Sequence, residues 1–175
     1  RGMFAFSLWD EKHKRLFCAR DRFGIKPFYY AVVEGVFYFA SEAKALLPFL
    51  PSIDTNDIAL SEYLTFQYTI GEKTLFEGIK QLLPGHALAV ENGQVRVWCY
   101  WDVSYQIDYD HSPIYVQNRL RELLEESIEL HGRSDVPVGS YVSGGIDSSL
   151  MYQMAQANDS SSPLGFHGRF TDYPG

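Results

Sequence analysis

Val138-Gly139-Ser140-Tyr141-Val142-Ser143-Gly144-Gly145-Ile146-Asp147-Ser148-Ser149 is the stretch on which the reading turns. Val138 to Val142 predicts a short buried strand, and Ser148 to Ala157 predicts a helix. Ser160-Ser161-Ser162-Pro163 marks a loop, and Leu164 to Phe170 a second short strand. Strand, loop, helix, strand is one unit of a parallel α/β sheet.

The chemistry sits in Ser143-Gly144-Gly145-Ile146-Asp147-Ser148-Ser149. A glycine pair at the carboxyl end of a strand lets backbone approach a ligand with no side chain between. Successive N–H groups there, with the free N–H groups opening the next helix, make an anion cradle. The serines add hydroxyl donors. Asp147 is wrong for a bare phosphate, because like charges repel. It makes sense if Mg²⁺ bridges the carboxylate and phosphate oxygens, so the expected ligand is a magnesium pyrophosphate group. The stretch has neither the GxxxxGK[ST] of a Walker loop nor the GxGxxG of a dinucleotide site. The alternative is a plain Ser/Gly-rich turn before a helix.

Working outward, Ser112 and Pro113 read as the cap and first turn of a helix. Val116, Leu120, Leu123, Leu124 and Ile128 recur along it at helical spacing, and Asp135 and Pro137 stop it. Composition changes near Tyr100. Before that point the chain reads mostly as strands: Met3 to Trp9, with Phe4, Phe6 and Leu8 on one face, then Leu16 to Arg20. Phe28 to Val33 and Val36 to Ala40 flank a tight Glu34-Gly35 turn. Ala87 to Glu91 and Gln94 to Trp98 flank Asn92-Gly93, which tolerates positive φ at both central positions. Short helices are expected over Glu42 to Leu47, capped by Ser41 and Glu42, and over Ile58 to Phe66. Arg20, Asp21, Gly24 and Pro27 read as a pinned turn in preference to a phosphate site. The aromatic stretch Trp98 to Tyr105 reads as a wedge at a domain junction.

With 46% hydrophobic residues the 175-residue chain can bury a core, which excludes wholesale disorder. A net charge of −7 and the lack of a basic run argue against a nucleic-acid partner. No apolar run reaches the roughly 18 residues of a membrane span, and no signal peptide is visible. Cys18 and Cys99 form no CxxC, which suits a reducing, cytoplasmic setting, and both read as packed thiols. The five histidines show no paired spacing for a metal. Arg1 at the start and the loop-like Thr171 to Gly175 at the end read as the cut ends of a longer protein.

Ser143 to Ser149 resembles the SGGxDS signature of the ATP pyrophosphatases. With Asp135-Val136-Pro137-Val138-Gly139 before it, the stretch is similar to the asparagine synthetase family. The upstream half agrees in the family's order: Gly2 to Asp10 (GMFAFSLWD), Ala19 to Pro27 (ARDRFGIKP), Phe39 to Leu47 (FASEAKALL) and Phe76 to Ala87 (FEGIKQLLPGHA).

The resemblance implies two partial domains. Residues 1–105 would be the later part of a class II glutamine amidotransferase domain, α+β with packed antiparallel sheets and an N-terminal nucleophile. Residues 106–175 would begin an α/β doubly wound ATP-pyrophosphatase domain. It implies ATP-dependent adenylation of the aspartate side chain, then amidation by glutamine-derived ammonia. ATP and Mg²⁺ would be held by Val142, Ser143, Gly144, Gly145, Asp147, Ser148 and Ser149, with Asp147 on the metal and Gly168 near adenine. The small-molecule partners would be aspartate, glutamine and ATP, and the resemblance leaves room for a homodimer. The family's glutaminase nucleophile is a cysteine at the mature N-terminus, whose α-amine acts as base. Neither Cys18 nor Cys99 matches it, so no catalytic residue is assigned and this stretch alone is expected to be inactive. A relative that works on another carboxylate, such as a β-lactam synthetase, or a non-catalytic nucleotide-binding module are the other readings.

Overall fold

A computed structural model describes residues 2–158 and 163–168. The expected loop residues 160–162, the end of the second expected strand at 169–170, Arg1 and residues 171–175 lie outside the described residues. The chain divides into two compact units, Arg1–Tyr105 and Gln106–Gly175. No helix among the described residues is long and apolar enough to cross a membrane.

The first unit is built from hairpins. Strands β1 (Ala5–Asp10) and β2 (Arg15–Arg20) pair antiparallel, as do β3 (Tyr29–Val33) with β4 (Val36–Ala40) and β6 (His86–Glu91) with β7 (Gln94–Cys99). The turns follow from local chemistry. Glu34 and Gly35 have φ of 50° and 78°, and Asn92 and Gly93 have 51° and 74°. Both pairs are therefore left-handed at the two central positions, the geometry that matches the twist of the flanking strands. Strand β2 also pairs with β6, giving the sheet order β1-β2-β6-β7. The two-residue β5 (Lys80–Gln81) joins β3 in a second sheet, β4-β3-β5.

The two sheets pack through alternate residues. Cys18 and Leu88 from the first meet Phe28, Tyr30 and Leu82 from the second sheet and its flanks, with Ala5, Leu16, Phe37 and Val90 around them. The opposite face of the second sheet carries Ala31, which packs with Leu46 and Ile79. Leu46 comes from the short helix expected here, which is a 3-10 helix over Ala43–Phe49. Pro48 lies inside it and lacks an N–H to continue an α-helix. Glu42 takes the expected N-cap position but makes no side-chain cap bond: its backbone carbonyl accepts from Ala45 N–H, and its carboxylate pairs with Lys44 at 2.7 Å. Helix α1 (Asp57–Phe66) is capped by the Asn56 side chain, which accepts from Ala59 N–H at 2.9 Å.

The turn after β2 is held by the charges of Arg20 and Asp21. Arg20 donates to the carbonyls of Gly24, Lys26 and Leu82 at 2.9, 2.8 and 2.6 Å. The Asp21 carboxylate accepts from the N–H groups of Phe4, Phe23, Ile25 and Lys26 at 2.9 to 3.3 Å. Gly85 N–H reaches the Asp21 carbonyl, and Tyr100 hydroxyl the Arg20 carbonyl. Trp101 lies against Phe23 and under the Arg22 guanidinium. Trp98 lies against Phe17, whereas Tyr105 is almost fully exposed.

In the second unit α2 spans Pro113–Gly132, and Ser112 hydroxyl accepts from Tyr115 N–H as its cap. Of its expected apolar row only Ile128 is buried; Val116, Leu120 and Leu123 are exposed. One short helix and two short strands do not cover a twenty-residue helix. Strand β8 covers Gly139–Tyr141, not Val138 to Val142, and it is not buried. It pairs in parallel with β9 (Leu164–Phe166). A two-stranded sheet has too little neighbouring surface to bury both faces, which corrects the expectation of a buried strand. Helix α3 runs Ile146–Asn158 and starts two residues earlier than expected, inside the glycine-serine stretch.

Candidate functional site

Strands β8 and β9 run parallel, so their carboxyl ends lie on one edge. Val142 fixes that edge. Its N–H donates to the Phe166 carbonyl at 2.8 Å, and its own carbonyl is 2.8 Å from the His167 ring Nδ1. The loop from Ser143 to Ser149 therefore leaves the edge on which Gly168 follows β9. The carboxyl edge of parallel strands is where α/β folds bind ligands.

The loop braces itself. Ser143 and Ser148 hydroxyls lie 2.9 Å apart, Ser148 hydroxyl also donates to the Gly145 carbonyl, and Ser143 N–H donates to the Ser148 hydroxyl. Gly145 N–H reaches Ser143 hydroxyl at 3.3 Å. Two of the serines counted in sequence as ligand donors are thus bonded within the loop, holding its curvature. Gly144 has a φ of +86° with nothing near its missing Cβ. A side chain there would be strained by the backbone and would project into open space beside the loop.

Among the described residues, the N–H groups of Gly144, Ile146, Asp147 and Ser148 have no acceptor, and the first intrahelical bond of α3 is Ser149 N–H to the Gly145 carbonyl. These are the orphan donors of a helix start, aligned with the positive end of its dipole. Asp147 is exposed, and among the described residues it has neither hydrogen bond nor ion pair. No three His, Cys, Asp or Glu residues converge among the described residues. Gly168 is exposed with nothing within 4 Å of a Cβ built on it.

The remaining candidates fall to structure. Arg20, Asp21 and Gly24 are committed to one turn, as described above. Cys18 is fully buried, and burial pushes its thiol up to about 12, so it stays neutral. Cys99 corrects the expectation of two packed thiols: it ends β7 exposed, its sulfur 3.2 Å from the Trp101 carbonyl. The last residue of a strand has a neighbour on one side only.

Two family models match the chain: one for a glutamine amidotransferase domain over residues 1–101, and one for asparagine synthase over residues 119–174. Among curated relatives, asparagine synthetase [glutamine-hydrolyzing] 1 of Bacillus subtilis is 37% identical over 157 residues, covering 89% of this chain and 25% of that protein. Amidase chyE of Penicillium rubens is 38% identical, covering 88% of this chain and 23% of the relative. The putative asparagine synthetase [glutamine-hydrolyzing] 2 of Methanocaldococcus jannaschii is 31% identical, covering 99% of this chain and 35% of the relative. The chain thus spans about a quarter to a third of the length of these relatives. With the two matches in this order along one chain, the protein belongs to the glutamine-hydrolysing asparagine synthetase family.

Proposed function

We propose that this chain serves glutamine-dependent asparagine synthesis. Residues 1–105 form the later part of a glutamine amidotransferase domain, and residues 106–175 begin a doubly wound ATP-pyrophosphatase domain. The observation that carries the reading is the loop Ser143–Ser149: four N–H groups without acceptors and a carboxylate without a partner among the described residues, at the carboxyl edge of a parallel strand pair.

In this reading Val142 and Gly168 border the nucleotide, and Gly144, Gly145, Ser148 and Ser149 offer backbone N–H or hydroxyl groups to its phosphates. Ser143 holds the loop's curvature through Ser148. The donor set fits a magnesium pyrophosphate group: N–H dipoles suit phosphate oxygens, and Asp147, which would repel a bare anion, suits a hard cation. Asp147 would hold Mg²⁺, whose charge would offset that of the phosphates. ATP is cleaved between its α and β phosphates. The aspartate side-chain carboxylate, a poor electrophile, becomes an acyl adenylate with AMP as leaving group. Ammonia from glutamine then displaces AMP, giving asparagine, AMP and pyrophosphate. Glutamine hydrolysis is assigned to neither cysteine: Cys18 is neutral and buried, and Cys99 has no α-amine of its own to act as base. A cytoplasmic ligase acting on small molecules, with room for a homodimer, goes with this reading.

A second reading, transfer to a carboxylate other than aspartate, is favoured by the relatives named as amidases, which are as similar as those named asparagine synthetase. Product analysis decides. The gene product carrying this chain, given ATP, aspartate and glutamine, should release AMP, pyrophosphate and asparagine. ADP and phosphate would overturn the assignment to this chemistry; AMP release with another carboxylate but not with aspartate would establish the second reading.

A further inference from the structure

The outer face of the first sheet carries a cavity of about 570 Å³ outside the site just described. Register places its residues. Phe17 opposes Ala89 and Ala89 opposes Arg96, so these three share one face across β2, β6 and β7. Arg15, two residues before Phe17, and Trp98, two after Arg96, lie on that face too. Two strand spacings, roughly 10 Å, and two residues along the strands, roughly 7 Å, separate the backbones of Arg15 and Arg96, a diagonal that two long side chains can span. On β6 between them, Ala89 lies opposite Arg96 and leaves space above it, while Glu91, by continuation of the Leu16–Val90 register, lies opposite Arg15; both arginines line the cavity.

Neither guanidinium is neutralised by an ion pair among the described residues. Arg15 has Asp10 beside it on β1 and Glu91 beside it on β6, with an ion pair to neither among the described residues; the Asp10 carboxylate turns to the β1–β2 hairpin, accepting from Lys12 N–H and His13 N–H and lying 2.7 Å from the His13 ring. Arg96 is oriented by Trp98, whose ring centroid is 5.9 Å from its guanidinium carbon. Glu91 lines the same cavity. Two guanidiniums, one carboxylate and an indole wall are the complement of a small amino-acid zwitterion: its carboxylate between the arginines, its ammonium on Glu91, its side chain against Trp98.

We infer that the cavity over Ala89 is a binding site for a free α-amino acid, distinct from the glycine-serine loop. An acidic amino acid suits it best, because a second carboxylate can use the second arginine. The inference rests on the sheet geometry and not on the proposed synthetase activity.

The test is a titration of the isotopically labelled full chain with L-glutamate at millimolar concentration, followed through the Trp98 indole and Ala89 amide resonances. Shifts should centre on these two groups. Arg96→Gln and Glu91→Gln should each weaken binding about tenfold, as loss of one charge-assisted hydrogen bond implies, while Asp147→Asn leaves it unchanged. Glutarate, which lacks the ammonium, should bind about tenfold more weakly than glutamate. Equal binding of glutarate or inorganic phosphate would reduce the cavity to a general anion attractor and overturn the inference, as would the absence of shifts at Trp98 and Ala89. A fold check by the dispersion of the remaining resonances keeps an unfolded variant from passing as a loss of binding.

Discussion

Arg20 and Asp21 are neighbours of opposite charge that form no ion pair with each other; each turns to the backbone of the same turn. The guanidinium takes carbonyls of Gly24, Lys26 and Leu82, and the carboxylate takes N–H groups of Phe4, Phe23, Ile25 and Lys26. Both side chains are nearly buried. A buried charge without compensation is costly, and here peptide dipoles of both signs supply it. The pair ties three distant stretches together: the start of β1, the turn after β2, and the segment before β6.

This gives a pH prediction. Burial pushes the Asp21 carboxyl up, but the four N–H donors outweigh it and hold the group below its ordinary value. A group with a depressed folded pKa contributes stability above its unfolded pKa of about 4 and loses it as pH falls through the lower folded value. The wild-type chain should therefore lose stability below about pH 4. Asp21→Asn, in which one acceptor becomes a donor facing N–H groups, should cost about 2–4 kcal/mol near neutral pH and flatten that acid limb. Urea midpoints from pH 7 down to 3 for both chains provide the check.

Gly85 should be intolerant of a side chain. Its φ is +66°, and a Cβ there would sit 2.2 Å from the Trp101 carbonyl oxygen, while its N–H holds the Asp21 carbonyl. Gly35 has φ +78° and nothing within 4 Å of its missing Cβ. Gly35→Ala should cost only the left-handed penalty, about 1–2 kcal/mol. Gly85→Ala should cost clearly more, because backbone must move. Equal urea midpoints for the two variants would refute the packing at Gly85.

The two cysteines should separate in a labelling experiment. Cys18 is fully buried with its thiol pushed up to about 12, whereas Cys99 is exposed. A thiol reagent at neutral pH should modify Cys99 in the native chain and reach Cys18 only on unfolding, because the thiolate is the reactive form. Peptide mass mapping after brief exposure reads this directly.

At the glycine-serine loop, Asp147→Asn should lower the melting temperature by no more than about 4 °C, since the exposed carboxylate contributes only its interaction with the positive end of the α3 dipole. In the gene product that carries this chain, synthetase turnover should fall by at least about tenfold if a neutral amide replaces a carboxylate on the metal. Normal turnover at saturating magnesium would remove Asp147 from the proposed site.

The hairpins were legible in sequence because their causes are local. Glu34-Gly35 and Asn92-Gly93 dictate left-handed turns, and the period-two pattern on either side sets the faces. Ser112 and Pro113 started α2 for the same reason, and a glycine pair between a strand and a helix marked the loop. What sequence could not decide was the use of groups that recur within a short stretch. Three serines near a cradle look alike in a string; only folding put Ser143 and Ser148 hydroxyls 2.9 Å apart and directed them to each other. Two strand cysteines look alike until tertiary packing covers one and leaves the other at a strand end. The α2 row of Val116, Leu120 and Ile128 gives a helix by its spacing, but burial is a property of neighbours, and only Ile128 has them. Likewise Arg15 and Arg96 lie 81 positions apart in the chain (96 less 15), and the pairing of β2, β6 and β7 alone brings them to one face of one sheet. Turns, caps and faces follow from dihedral preference and side-chain period; burial, pairing of charges and the shape of a cavity depend on contacts between residues distant in sequence.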